Sequence, residues 1–226
     1  RHIGFMEGTL ATGAPMSFSL EPQGSKRLIT VRSRDAGAVA RTFKIYDNAV
    51  GGDLVMEAVL HDDQPGAPVT GTVKIDDYRV INAPTLARLL TVATLTGILS
   101  ELRGKGIRFS RFEMPFTLEE NVLTIRDAQT SGFSVGVNAE GTVDLESDRV
   151  EISGTVVPAY TFNTLIDVIP VLGELLTGGE GEGLFAADYR VGGTTAEPDI
   201  SVNPLSVLAP GFLRKLFSSE KEKEAE

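Results

Sequence analysis

The 226-residue chain contains no cysteine, no tryptophan and only two histidines. Without cysteine there is no disulfide framework, no thiolate metal ligand and no cysteine nucleophile. That absence does not choose a compartment, because a cysteine-free chain suits reducing and oxidising surroundings alike. Aromatics are scarce at 7%, whereas 24 Gly and 11 Pro make a turn-rich, β-leaning composition. Positive charge is also short: 21 Lys and Arg against 31 Asp and Glu leave a formal charge of −10. Such a surface repels phosphates, which argues against a nucleic-acid partner. With 42% hydrophobic and 23% charged residues, a packed core is expected.

A long uninterrupted hydrophobic run is missing too. The nearest candidate, Pro84 to Leu102, has roughly the ~20 residues of a membrane span, but Arg88, Glu101 and several threonines interrupt it. It reads as a helix that packs in a bundle or faces a groove. No charged start followed by an apolar core and a small-residue cleavage site occurs, so this piece shows no signal peptide. The opening Arg1-His2-Ile3-Gly4, without an initiator Met, suggests a piece of a longer chain.

What is abundant is period-two alternation, the pattern of half-buried strands. Met16, Phe18 and Leu20 alternate with serines and Glu21. Val69, Gly71, Val73 and Ile75 alternate with Thr70, Thr72, Lys74 and Asp76. Phe112, Met114, Phe116 and Leu118 share one face. Val135, Val137, Ala139, Gly141, Val143 and Leu145 share another, as do Val150, Ile152, Gly154 and Val156. The turns Glu119-Glu120-Asn121, Ser131-Gly132 and Ser147-Asp148 leave no room for crossover helices between Phe109 and Val157. The expected fold is therefore α+β but mostly β: a long antiparallel meander with one apolar and one wet face. Strands of ten or so residues would reach about 33 Å.

A few helices punctuate it. Asp35 is placed to cap a helix over Ala36 to Tyr46, and Pro84 suits the first turn of the helix to Leu102. Thr161 to Leu176 reads as helical with a break at Pro170. Strands are expected over Leu184–Gly192 and Asp199–Val202, then Pro204 to Phe217 carries apolar runs around Pro210-Gly211. The chain divides into one domain, residues 1–217, and a charged tail, residues 218–226, expected to be disordered. A sheet cut at its start would also leave a strand edge near Gly4–Leu10 that invites pairing.

Chemistry-bearing motifs are few. His2 lies at the end of the chain and His61-Asp62-Asp63-Gln64-Pro65-Gly66 reads as a hairpin loop, so neither suggests a metal centre. The Gly178-Gly179-Glu180-Gly181-Glu182-Gly183 run follows a helix instead of opening one, and its carboxylates would repel phosphate. Adjacent acids such as Asp76-Asp77 and Glu119-Glu120 diverge on strands and turns, which leaves no acid/base pair. The reading is non-enzymatic, with no cofactor and no metal. Two arrangements of the greasy sheet face remain open: a core closed by the chain's own helices, or partial coverage that leaves an apolar channel. The channel would be costly to expose, at about 25 cal/mol per Å², unless something occupied it.

The last third carries a resemblance. Gly154-Thr155-Val156-Val157-Pro158-Ala159-Tyr160, Phe162-Asn163 and Ile169-Pro170-Val171-Leu172-Gly173-Glu174-Leu175-Leu176 resemble the AsmA-like C-terminal region. So do Tyr189-Arg190-Val191-Gly192-Gly193, Pro198-Asp199-Ile200-Ser201-Val202-Asn203-Pro204 and Leu208-Ala209-Pro210-Gly211-Phe212-Leu213-Arg214. Asp35-Ala36-Gly37-Ala38, Tyr46-Asp47-Asn48 and Val80-Ile81-Asn82-Ala83-Pro84 are similar to the same YhdP-type branch of the AsmA/TamB superfamily. The resemblance spans about Asp35 to Phe217.

It implies the distal, C-terminal end of a large envelope protein in the periplasm of a diderm bacterium, anchored in the inner membrane through its parent chain. Such proteins resemble bridge-like lipid transfer proteins: a curled, taco-like β-groove moves phospholipid between inner and outer membranes. On that reading acyl chains would lie along Met16, Phe18, Leu20, Val73, Ile75, Phe112, Met114, Phe116, Leu118, Val135, Val137, Val143, Leu145, Val150 and Ile152. Phe212, Leu213, Arg214, Lys215, Leu216 and Phe217 would dip into a membrane surface or pack as a cap on the sheet edge. The alternative is a capping or assembly module that docks on an outer-membrane or periplasmic protein and supports outer-membrane biogenesis without carrying lipid.

Overall fold

Each alternating segment becomes a strand that pairs with its sequence neighbours, and eleven strands line up in strict chain order as one antiparallel sheet. The computed structural model describes residues 4–10, 12–92, 100, 102–158 and 187–203. The strands are β1 (Gly4–Thr9), β2 (Pro15–Gln23), β3 (Lys26–Ser33), β4 (Ala49–Leu60), β5 (Val69–Val80) and β6 (Ile107–Glu119). They continue as β7 (Val122–Gly132), β8 (Val135–Asp144), β9 (Arg149–Pro158), β10 (Ala187–Gly193) and β11 (Pro198–Asn203). β1 and β11 do not meet, so the sheet is not closed into a barrel. The expected mostly-β antiparallel meander is what the chain forms. β6, with 13 residues, spans about 43 Å.

Long strands keep one apolar face only if their alternation is corrected where they twist. Gly51 (φ 68°) and Gly52 (φ 96°) lie opposite a stretch that holds Asp77 in the left-handed region (φ 53°). The irregularity shifts the alternation by one residue. Ile75 and Tyr78 therefore stand on the same side, opposite Phe112 and Phe109. A Cβ on Gly52 would lie 2.8 Å from both Ile75 Cγ2 and Tyr78 Cβ, so the position requires glycine for space as well as for its φ. Asp127 (φ 48°) marks the equivalent shift on β7, between Ile125 and Ala128.

The other face is wet. Lys74 stands opposite Glu113 at 3.3 Å, Asp76 opposite Arg111 at 3.5 Å, and Arg32 reaches Glu57 at 3.2 Å. Exposed pairs of this kind contribute at most about 1 kcal/mol each. They line the outer side of β3 to β6 with charge.

The two ends of the sheet differ. Residues 24–25, 61–68, 120–121, 145–148 and 194–197 close one end with short turns and loops. The longer connections, residues 34–48, 81–106 and 159–186, all leave from the opposite end. Helices α1 (Ala36–Thr42) and α2 (Pro84–Val92) arise there. Asp35 caps α1 by accepting from the Ala38 amide at 2.8 Å. α1 stops at Thr42 and does not reach Tyr46, because Phe43 ends it and Lys44 turns left-handed (φ 55°).

Helix α2 shows how far the sheet curls. Its Leu89 and Leu90 share one core cluster with Tyr78 and Val80 of β5 and with Val156, Ala187 and Tyr189 of β9 and β10. It also touches β11. In a flat sheet six strand spacings, about 29 Å, separate β5 from β11, while a nine-residue helix is only about 13 Å long. The sheet must wrap around the helix.

Of the expected Pro84–Leu102 helix, residues 93–99 and 101 lie outside the described residues. So do Thr161–Leu176, Pro204–Phe217 and the tail from Ser218 to Glu226. Residues 184–186 of the expected Leu184–Gly192 strand also lie outside the described residues, which give β10 from Ala187. The turn expected at Ser131-Gly132 falls two residues later, at Phe133-Ser134, because β7 runs through Gly132.

Candidate apolar trough

Register assigns the inner-facing residues. Met6 lies opposite Phe18, Phe18 opposite Val31, Val31 opposite Met56, Met56 opposite Val73 and Val73 opposite Met114. Farther along, Phe116 lies opposite Ile125, then Gly141, Ile152, Val191 and Ile200 follow on successive strands. Apolar rows therefore cross the sheet from one edge to the other on a single face.

Helices cover that face unequally. Ala36 and Val39 of α1 pack with Val31 and Leu54, and Met16, Phe18, Val73 and Ile75 border that cluster. Under α2 the core is dense: Leu90, Ile107, Val135 and Val156 have no exposed surface, and Leu102 is almost fully buried with them. Phe112, Val137 and Ile152 border this second cluster. Toward the turn end, Leu20, Met114, Phe116, Leu118 and Val143 are half-buried by their strand neighbours and join neither cluster. Among the described residues no helix packs on them. Val150 is buried in the same region. Fourteen of the fifteen trough residues expected from sequence thus share the inner face, divided between a filled helix end and a turn end over which no helix packs among the described residues.

Leu145 departs from that expectation. β8 ends at Asp144, whose carboxylate accepts from the Glu146 and Ser147 amides at 2.9 and 3.0 Å. The turn this makes carries Leu145 off the strand, 56% exposed. The cap residues Phe212, Leu213, Arg214, Lys215, Leu216 and Phe217 lie outside the described residues.

Sequence reasoning missed Met6, Ile29, Val31, Leu54, Met56, Tyr78, Phe109 and Tyr189 on this face. In β3 and β4 the period-two signal is blurred by Leu28, Val55 and Val59, which are apolar on the outer side. For Tyr78 and Phe109, the clue was Gly51-Gly52 facing Asp76-Asp77 across the strand pair.

Polar groups gather at the rim. Arg27, opposite Leu60 at the turn end, grips Asp62 with two hydrogen bonds of 2.6 Å. The guanidinium holds the Asp62 carboxyl below the usual carboxylate range. Ser25 donates to Asp63 at 3.1 Å beside it. His61 sits in the same loop, its ring nitrogens against Thr70 Oγ1 at 2.8 Å and Gln64 Nε2 at 3.4 Å. Inside, Tyr78 stacks on Phe109 with ring centroids 5.2 Å apart and donates to Thr130 Oγ1 at 2.7 Å, which in turn donates to the Arg111 carbonyl. A cavity of about 470 Å³ lies beside the bulge, lined by Val50, Gly51, Asp77, Tyr78, Arg79 and Arg108.

Among the described residues no three His, Asp or Glu side chains converge as metal ligands, and no helix is long and apolar enough to cross a membrane. Comparison of the chain with protein-family models, with curated proteins and with solved structures gives no match.

Proposed function

We propose that the inner face of this sheet is a trough that shields the acyl chains of phospholipid, in a segment of a periplasmic lipid-carrying envelope protein. The observation that carries the reading is a mainly apolar face on an unclosed sheet, whose turn-end half has no helix over it among the described residues. The half-thickness of a bilayer's hydrocarbon, about 15 Å, fits within strands of 10 to 13 residues. Carriage is passive on this reading. Tails leave water for the Phe116, Leu118 and Val143 surface, headgroups stay at the polar rim, and no covalent step occurs. The sequence resemblance to the AsmA-like region points the same way.

The alternative is a capping or assembly module that carries no lipid and docks on an outer-membrane or periplasmic protein; the closed packing of Leu90, Leu102 and Phe109 at the helix end supports it.

A photo-crosslinking side chain distinguishes the readings in a diderm host. At Leu118, on the inner face, it should capture phospholipid; at Thr117, its outward neighbour, it should not. Equal capture at both positions, or capture of protein alone at Leu118, would contradict lipid carriage.

A further inference from the structure

Along β5 and β6 the outward charges face each other with opposite sign. Lys74 meets Glu113 at 3.3 Å and Asp76 meets Arg111 at 3.5 Å. Beyond the bulge, toward the helix end, that rule breaks. Arg79 lies directly opposite Arg108, and both are exposed, each standing between two buried residues. Like charges in register repel, and neither guanidinium has an ion-pair partner among the described residues. Both line the cavity of about 470 Å³ beside the bulge, a volume usual for small-molecule sites. Gly51 leaves its wall open, since no atom lies within 4 Å of where its Cβ would be. Gly106 lets the stem of Arg79 lie close, for a Cβ there would stand 3.1 Å from Arg79 Cδ. Asp77, the bulge residue, supplies the one carboxylate among the lining residues, and it has no cross-strand partner on β4 or β6.

We propose that this cleft binds a phosphate ester carrying a primary ammonium, the chemistry of a phosphoethanolamine group. The two guanidiniums take the phosphate, which arginine meets with paired hydrogen bonds. The bound anion also removes the repulsion between Arg79 and Arg108. The ammonium donates to Asp77, whose carboxylate only accepts. A ligand with no net charge suits a chain of formal charge −10, which would repel a purely anionic one. The cleft's chemistry stands by itself; that the ester is a phospholipid headgroup rests on the trough reading.

Titration of the full chain with glycerophosphoethanolamine and with glycerophosphoglycerol, followed through the side-chain NMR signals of Arg79 and Arg108, tests the site. Wild type should prefer the ethanolamine ester by roughly threefold to fivefold, the worth of one exposed ion pair. Arg79→Gln and Arg108→Gln should each weaken both esters roughly tenfold. Each relieves a like-charge pair, so neither should melt below wild type. Asp77→Asn, which suits the left-handed backbone there, should abolish the preference and keep the phosphate affinity. Equal binding of the two esters by wild type would overturn the proposal, as would arginine variants that bind like wild type. Flotation with vesicles of phosphatidylethanolamine and phosphatidylcholine, lost in Arg108→Gln, would make a lipid the source; ester binding without flotation would make it a free ester. Ester binding that survives while a Leu118 crosslinker captures no phospholipid would contradict the trough and leave the site standing.

Discussion

Tyr189 on β10 passes its hydroxyl over β9 and donates to the carbonyl of Asn138 on β8, at 2.7 Å. The residue directly beneath is Gly154, the cross-strand partner of Tyr189. A Cβ there would lie 2.7 Å from the tyrosine oxygen and collide with the Asn138 carbonyl. The glycine thus lets one aromatic tie three strands together. Asn138 adds a second tie, its side-chain oxygen accepting from the Thr155 amide at 2.6 Å.

Gly154→Ala should therefore destabilise the protein by roughly 1–3 kcal/mol, the usual cost of overpacking. Tyr189→Phe should cost less, about 1 kcal/mol for one hydrogen bond. Urea unfolding of both variants checks the order; a Gly154→Ala protein as stable as wild type would show that the crossing is not tight.

The buried tyrosines predict an alkaline limit. Burial pushes the Tyr189 hydroxyl, and likewise Tyr78 despite its bond to Thr130, up to about 12. The unfolded value is about 10, so the contribution is fully present below pH 10 and is lost as pH rises toward 12. The melting temperature of wild type should fall across that window. The Tyr78→Phe/Tyr189→Phe double variant, lower at neutral pH, should fall less steeply.

Asp144 predicts the opposite limb. Backbone amides of Ser147 and Glu146 hold its carboxyl below the usual range. Its contribution is present above the unfolded value, about 4, and is lost as pH falls through the lower folded value. Asp144→Ala should melt below wild type at pH 7, with the gap closing in strong acid. A gap that is constant with pH would mean the turn does not depend on the charge.

Much of this fold was written in period-two patterning. Where one side of a strand was apolar and the other polar, as in Phe112 to Leu118 or Val135 to Val143, both the strand and its inward face were legible. Legibility failed where alternation slips. Tyr78 and Phe109 follow residues that would place them outside, and only the paired distortion at Gly51-Gly52 and Asp77 turns them in. It failed again at Leu145, because a local Asp144 turn ends the strand one residue before the pattern does. The uneven cover of the apolar face was not legible at all, since it depends on the curl that brings α2 from β5 to β11.

The most direct test of the central claim is native mass spectrometry of the protein released gently from bacterial membranes, compared with its Phe116→Asp and Val143→Asp variants. Both positions are half-buried on the part of the inner face that carries no helix among the described residues, so the variants should fold and melt cooperatively. The account predicts co-purifying phospholipid on wild type and its loss in both variants. A lipid-free wild type, or lipid retained equally in the aspartate variants, would contradict the trough.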